Sequence, residues 1–240
     1  MLWKKLSSNL GNVIPAGDPY YANVVLLLHG DGANGGGTFI DNSQYNRTPF
    51  FVSEEITTSN EEMLFGQNTI KSTGGAFVTQ SVLEYSSSID FTRSNNFTLE
   101  FWINSTQPYG SQPYFMARSA VSYSALDQLV GYAQLSFTNW GLGSTNISAD
   151  LVANTWHYVV LQQSAGSDYR IYLDGNLVQA ATNPSTDTPT PEKFGIVNVP
   201  DRGDLPAFTG YLSEIRYTQG VARYSGSTIP VQSAPWPNST

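Results

Sequence analysis

Cleavage of a glycosidic bond needs two carboxyl groups flanking it, one to donate a proton and one to act as base or nucleophile. The acidic residues of this sequence do not fall into that pattern. Glu54-Glu55 and Glu61-Glu62 are adjacent pairs, and neighbours on a strand point to opposite faces. Glu100, in FTLEFWIN, and Glu214, in GYLSEIRY, each stand alone on their segment. All six are expected to be structural or surface groups, and no enzymatic activity is expected. His29 and His157 are the only histidines. Neither a G-x-S-x-G elbow nor an H-x-x-x-H spacing accompanies them, so both read as hydrogen-bonded structural side chains. With no cysteine in the chain, thiol catalysis, thiolate zinc sites and disulfides are excluded.

Groups suited to binding are better represented. Sugar recognition combines an aromatic plane with a few amide and hydroxyl groups. Two segments offer that mixture: 105–115, with Tyr109 and Tyr114, and 138–146, with Asn139, Trp140 and Asn146. These five are the expected glycan-binding residues. Most of the 14 tyrosines and 5 tryptophans must be ordinary packing residues, and Trp102 and Trp156 are assigned to packing. At the other end of the chain, MLWKKLSSNLGNVIPAGDP combines apolar Leu2, Trp3 and Leu6 with Lys4 and Lys5, and its prolines and glycines stop any helix. Residues 1–19 therefore read as an arm, with Trp3 and Leu6 as the side chains that dock onto a partner.

Composition narrows the class. Only 12% of the 240 residues are charged, about half the ~25% of ordinary globular proteins. Serine, threonine, asparagine, glutamine and glycine supply the polarity, a habit of extracellular and virion β-proteins. The net charge is −8 with only 11 Lys plus Arg, so a dense positive face for phosphate backbones is missing and nucleic-acid binding is not expected. No run approaches the ~18 apolar residues of a membrane helix, and the first residues lack the apolar core and cleavage pattern of a signal peptide. The lack of cysteine suits a protein made in a reducing cytosol, including one later assembled into a particle.

The elements that must position these groups are strands. Val24–Leu28 is an apolar run stopped by a glycine-rich turn, as in a strand buried on both faces. FTLEFWIN alternates, with Phe97, Leu99, Phe101 and Ile103 on one face and Thr98, Glu100, Trp102 and Asn104 on the other. TWHYVVLQQ and DYRIYLDGNLVQAA form a meander whose Asp174-Gly175 is a strong hairpin signal. There Tyr169, Ile171 and Leu173 are expected to face the core, with Arg170 and Tyr172 opposite. No segment carries a convincing helical period. Short strands at regular spacing with turn signals predict an all-β sandwich or barrel, with one domain over residues 20–240.

Four segments in order, VVLLLHGDGANGGGTFIDNS, VLEYSSSIDFTRSNNFTLEFWINS, NTWHYVVLQQ…YRIYLDGNLV and GYLSEIRYTQGVARYSG, together resemble a laminin-G-like domain of the concanavalin A-like lectin/glucanase superfamily. The version they are most similar to occurs in tailed-phage structural and tail-associated proteins, and GVARY is the most phage-like piece. The resemblance implies a jelly-roll β-sandwich of two antiparallel sheets, closed by residues 208–218 pairing near the strand at 23–29. GVARYSG would then pack across the sandwich edge, with Val221 and Tyr224 buried and Arg223 exposed or paired. Relatives hold calcium with oxygen ligands from the first-strand loop and the closing strand. Calcium is thus the single candidate cofactor, with Asp31 and Asp41 as its ligands, although Ser213 stands where relatives commonly carry aspartate. The function implied is that of a non-enzymatic virion display protein (decoration, fibre or tail-associated), with a carbohydrate-binding adhesin as the alternative. Candidate partners are other virion proteins, a host surface glycan and further copies of the chain. No membrane insertion is expected.

Overall fold

A computed structural model describes residues 17–49, 51–74, 83–86, 96–107, 113–118, 128–132, 136–140, 147–148, 151–164, 168–182, 193–196 and 208–239. Among these there is no α-helix, and so no helix long and apolar enough to cross a membrane. Among the described residues one 3-10 turn, Tyr21–Asn23, leads into fifteen strands. Eight build a larger sheet: β1 (Val24–Leu28), β3 (Ile56–Leu64), β4 (Gln67–Thr73), β6 (Phe97–Ser105), β11 (Trp156–Ser164), β12 (Asp168–Leu173), β13 (Asn176–Thr182) and β15 (Thr209–Gln219). Seven build the smaller: β2 (Phe51–Val52), β5 (Leu83–Ser86), β7 (Pro113–Arg118), β8 (Gln128–Tyr132), β9 (Ser136–Trp140), β10 (Ile147–Ser148) and β14 (Lys193–Ile196). The hydrogen-bonded orders are β13-β12-β11-β6-β15-β4-β3 and β10-β9-β8-β7-β14-β5-β2, and every pairing is antiparallel.

The closing strand β15 is the hub. One edge runs along β6, from Gly210↔Ser105 to Gln219↔Phe97. Its other edge is shared: residues 209–212 pair with β4 and residues 215–218 with β1. Where the partner changes, the register slips between Ser213 and Arg216 and Glu214 takes φ 52. Such a bulge inserts a residue and re-aims its side chain. Leu212 and Ile215 both join the inter-sheet core although three residues apart, and the Glu214 carboxylate meets His29 on the other side. The expected closure of 208–218 against 23–29 is what the molecule shows.

Two apolar clusters stabilise the fold. The larger lies between the sheets, where Leu26, Leu28, Leu99, Phe101, Val159 and Ile171 of the larger sheet meet Leu83, Tyr85 and Ile196 of the smaller. The second lies on the opposite face of the larger sheet, where Trp102, Tyr158, Val160 and Tyr172 pack against Ile229, Tyr224 and Trp236. The alternation in FTLEFWIN suggests one core face, yet all nine residues of β6 are buried. The reason is the segment 221–239, which forms a strap across that face. It carries no strand beyond one isolated bridge, Asn176↔Thr228. GVARYSG therefore lies on the face of the sheet, not across its edge: the Val221 carbonyl accepts from Thr98 on β6 and the Tyr224 carbonyl from Gln162 on β11.

The hairpin signal holds. Asp174 and Gly175, at φ 49 and 83, connect β12 to β13, the positive-φ pair that a tight two-residue turn demands. The Asp174 carboxylate also receives the Tyr158 amide at 2.9 Å and pairs with His157 Nδ1 at 2.8 Å. His157 Nε2 accepts the Val152 amide at 3.0 Å, so this ring is a structural tie, as expected.

Candidate functional site

Beneath the strap, the larger sheet carries a row of buried charge. Glu100 on β6 and Arg216 on β15 sit opposite each other in register. Glu100 is fully buried; it accepts the Tyr158 hydroxyl at 2.6 Å, the Tyr224 hydroxyl, and Arg216 Nε and Nη2 at 2.8 and 2.6 Å. Arg216 turns its Nη1 to Asp18 at 3.0 Å. Asp18 in turn accepts both terminal nitrogens of Arg223, at 2.8 and 2.7 Å, and the Tyr20 amide at 2.9 Å. Two arginines thus neutralise two carboxylates. Burial alone would raise the Asp18 pKa, but the Arg223 and Tyr20 hydrogen bonds and the charges of both arginines bring it below the ordinary value. The Tyr158 and Tyr224 hydroxyls, desolvated and facing Glu100, are held well above theirs, so both remain donors.

Two residues before Arg216 on β15, Glu214 accepts His29 Nδ1 at 2.7 Å, Gln232 Nε2 at 2.9 Å and the Trp236 amide at 2.7 Å. His29 Nε2 lies 2.7 Å from Asn238 Oδ1. Both ring nitrogens thus face acceptors, which favours the doubly protonated ring. Burial pulls the His29 pKa down, yet the Glu214 bond and charge, the Asn238 bond and the charge of Asp31 outweigh it, and the net direction is upward. A histidine raised in the folded state contributes stability fully below its unfolded pKa, and that stability disappears as pH rises through the folded value. For Asp18, lowered in the folded state, stability is present above its unfolded pKa and disappears as pH falls through the folded one. The urea midpoint is therefore expected to be higher at about pH 6 than at about pH 9. Equal midpoints, or a higher one at the alkaline end, would show that His29 is not the charged partner of Glu214.

A cleft of about 330 Å³ opens over this row, lined by Asp18, Pro19, Arg216, Arg223, Tyr224 and Trp236 among others. The Arg216 guanidinium stacks 3.4 Å from the Trp236 ring centroid. Every carboxylate here is already bonded to internal donors, so the arrangement is built to hold shape and not to move protons.

Asp31 and Asp41, read from the sequence as calcium ligands, are not part of this row. Asp41 is buried, and its oxygens accept the amides of Leu27 (3.0 Å), Ser43 (2.9 Å) and Arg47 (2.9 Å) and the Ser43 hydroxyl (2.9 Å). Calcium needs several oxygens with lone pairs to spare; those of Asp41 are taken, Asp31 lies exposed, and Ser213 donates to the His29 carbonyl at 2.8 Å. Among the described residues no group of three or more acidic or histidine side chains converges on a metal position. Asp31 and Asp41 do not fit the calcium site that the resemblance implied. Tyr109, Asn146, Trp3 and Leu6 lie outside the described residues, and so do the side chains of Tyr114 on β7 and of Asn139 and Trp140 on β9. Asp18, read as part of the arm, accepts hydrogen bonds from both buried arginines. Sequence reasoning missed this clamp and the role of Trp236; the low arginine count, with one on the closing strand, was the available signal.

Residues 74–221 fit the family described as "Concanavalin A-like lectin/glucanases superfamily". The chain belongs to that superfamily. No curated protein sequence matches this superfamily member. Solved structures share its fold at low identity. The binding domain of botulinum neurotoxin DC, in complex with rat synaptotagmin II, superposes with a TM-score of 0.60 at 14% identity over 83% of this chain and 48% of that one. For the botulinum neurotoxin serotype G binding domain the values are 0.57, 15%, 81% and 47%. For the binding domain of Paraclostridial Mosquitocidal Protein 1 they are 0.59, 12%, 85% and 50%. The superfamily member spans about half the length of each of these structures, and the likeness is one of fold.

Proposed function

We propose that the protein is a non-catalytic display module of a phage virion, made in the host cytoplasm: a decoration, fibre or tail-associated protein that presents a lectin-like sandwich. One observation carries the non-catalytic part. Glu100 and Glu214, the carboxylates of the central strands β6 and β15, are both consumed by arginine, histidine, tyrosine and amide partners beneath the strap. Neither is available as acid, base or nucleophile toward a substrate. The virion part rests on the resemblance of the sequence segments to phage structural proteins, and the binding role is supported by a fold shared with proteins named as binding domains. Attachment is assigned to the arm, through Trp3 and Leu6. Deleting residues 1–17 should leave a cooperatively folding domain that no longer enters particles. Incorporation at the wild-type level after the deletion would remove the arm from this role.

A second reading, recognition of a host surface glycan, is favoured by membership of a lectin superfamily and can coexist with display. Tyr109, Tyr114, Asn139, Trp140 and Asn146 are its assigned contacts. A glycan array should give hits that vanish in Trp140→Ala, because the loss of a stacking ring removes the contact surface. An array without hits would leave display alone.

A further inference from the structure

We propose that the cleft lined by Arg216, Arg223 and Trp236 binds a short proline-rich stretch of a partner protein. Its volume of about 330 Å³ is that of a small ligand pocket, which suits a few residues and not a long strand. Its polar groups are unevenly spent. Arg216 gives Nε and Nη2 to Glu100 and Nη1 to Asp18. Arg223 gives Nε to Thr218 and both terminal nitrogens to Asp18. Each terminal nitrogen of a guanidinium carries a second N–H, and at both arginines these second donors have no acceptor among the described residues. The Trp236 indole N–H lacks one as well. The acceptors, by contrast, are taken. Asp18 receives the Tyr20 amide and both arginines, and Gln232 Oε1 receives the Trp102 indole at 2.9 Å. Apart from the exposed Ser233 hydroxyl, the lining side chains have donors to offer a ligand.

That imbalance selects among ligands. Arg216 and Arg223 are matched by Glu100 and Asp18, so no net charge draws a free carboxylate or phosphate. A sugar brings a donor with every hydroxyl, and those donors meet acceptors that are already bonded. A proline-rich peptide is the complement. Its carbonyls accept, its prolines have no N–H to leave unpaired, and its extended helix is preformed, which reduces the entropy lost on docking. Its rings find apolar surface on Trp236, Tyr224, Pro230, Pro235 and Pro237. The site is separate from the arm and from the assigned glycan contacts, and it holds whatever else the module displays.

The test uses the isotope-labelled full chain and an acetylated, amidated hexaproline peptide. The peptide should shift the Trp236 indole N–H resonance, which is assigned by its loss in Trp236→Phe, with half-saturation below about 1 mM. Trp236→Phe keeps a ring beside Arg216 and the backbone amide that Glu214 accepts. Followed at the backbone amides of residues 231–234, this variant should bind the peptide about fivefold more weakly, the loss of one hydrogen bond. N-acetylglucosamine, acetate and an amidated hexaglycine should leave the indole resonance in place. No saturable shift with hexaproline up to about 10 mM, or unchanged affinity in Trp236→Phe, would overturn the proposal. So would an equal or stronger response to one of the other three probes, which would give the cleft to a sugar, an anion or any peptide backbone.

Discussion

Gly210→Ala is expected to destabilise the fold by about 4 kcal/mol or more, beyond the usual range of point substitutions. Gly210 sits near the start of β15 at φ +145, paired on one side with Ser105 of β6 and on the other with Ser72 of β4. A Cβ there would overlap the Asn104 carbonyl oxygen and stand 2.8 Å from Phe208 Cζ and 3.0 Å from Ser105 Cα. Two of those three neighbours are backbone in the middle of a sheet, so they cannot yield without breaking the ladder that closes the sandwich. The positive φ adds backbone strain for any L side chain. Urea unfolding of the purified variant measures the loss, and expression largely in the insoluble fraction is the extreme form of the same outcome. A midpoint within a few tenths of a molar of wild type would mean that β15 is not locked between β6 and β4 at this point.

That glycine illustrates what the sequence made legible. Hydrophobic alternation, the Asp174-Gly175 turn and the order of the four family-like segments sufficed for the architecture, because each is a local consequence of strand period or turn geometry. The closure of β15 on β1 was legible for the same reason: two apolar runs at the ends of one domain need partners. The second cluster was not. Alternation in β6 assigns Trp102 and Glu100 to a face but does not say what covers it, and the strap that covers it has no period of its own. The bulge at Ser213 and Glu214 was equally hidden, since one extra residue on β15 leaves no compositional trace. The clamp on Asp18 depends on the first described residues returning to the last, where the Asp18 amide meets the Ser239 carbonyl; nothing local in GDPY announces it. Gly210 was the exception that could have been read, since an isolated glycine within a strand pattern marks a close backbone approach.

Arg216→Ala tests the charged row itself and is expected to cost about 3–5 kcal/mol, the range for removing one partner of a buried ion pair. The guanidinium is 4% exposed, gives two nitrogens to Glu100 and one to Asp18, and stacks on Trp236. Without it, Glu100 keeps only the tyrosine hydroxyls and Arg223 Nε at 3.7 Å, too little to compensate a carboxylate with no solvent. Asp18 retains Arg223, so the damage should centre on the strap over β6. The comparison that separates charge from packing is the double variant Glu100→Leu/Arg216→Met. Replacing a buried pair by apolar groups of similar size is often close to neutral, so the double variant should be more stable than Arg216→Ala alone. If it is less stable, the network contributes specific hydrogen bonding that apolar packing cannot replace. If Arg216→Ala itself unfolds within about 1 kcal/mol of wild type, as breaking an exposed pair does, then Glu100 is reached by water and the strap does not seal the sheet.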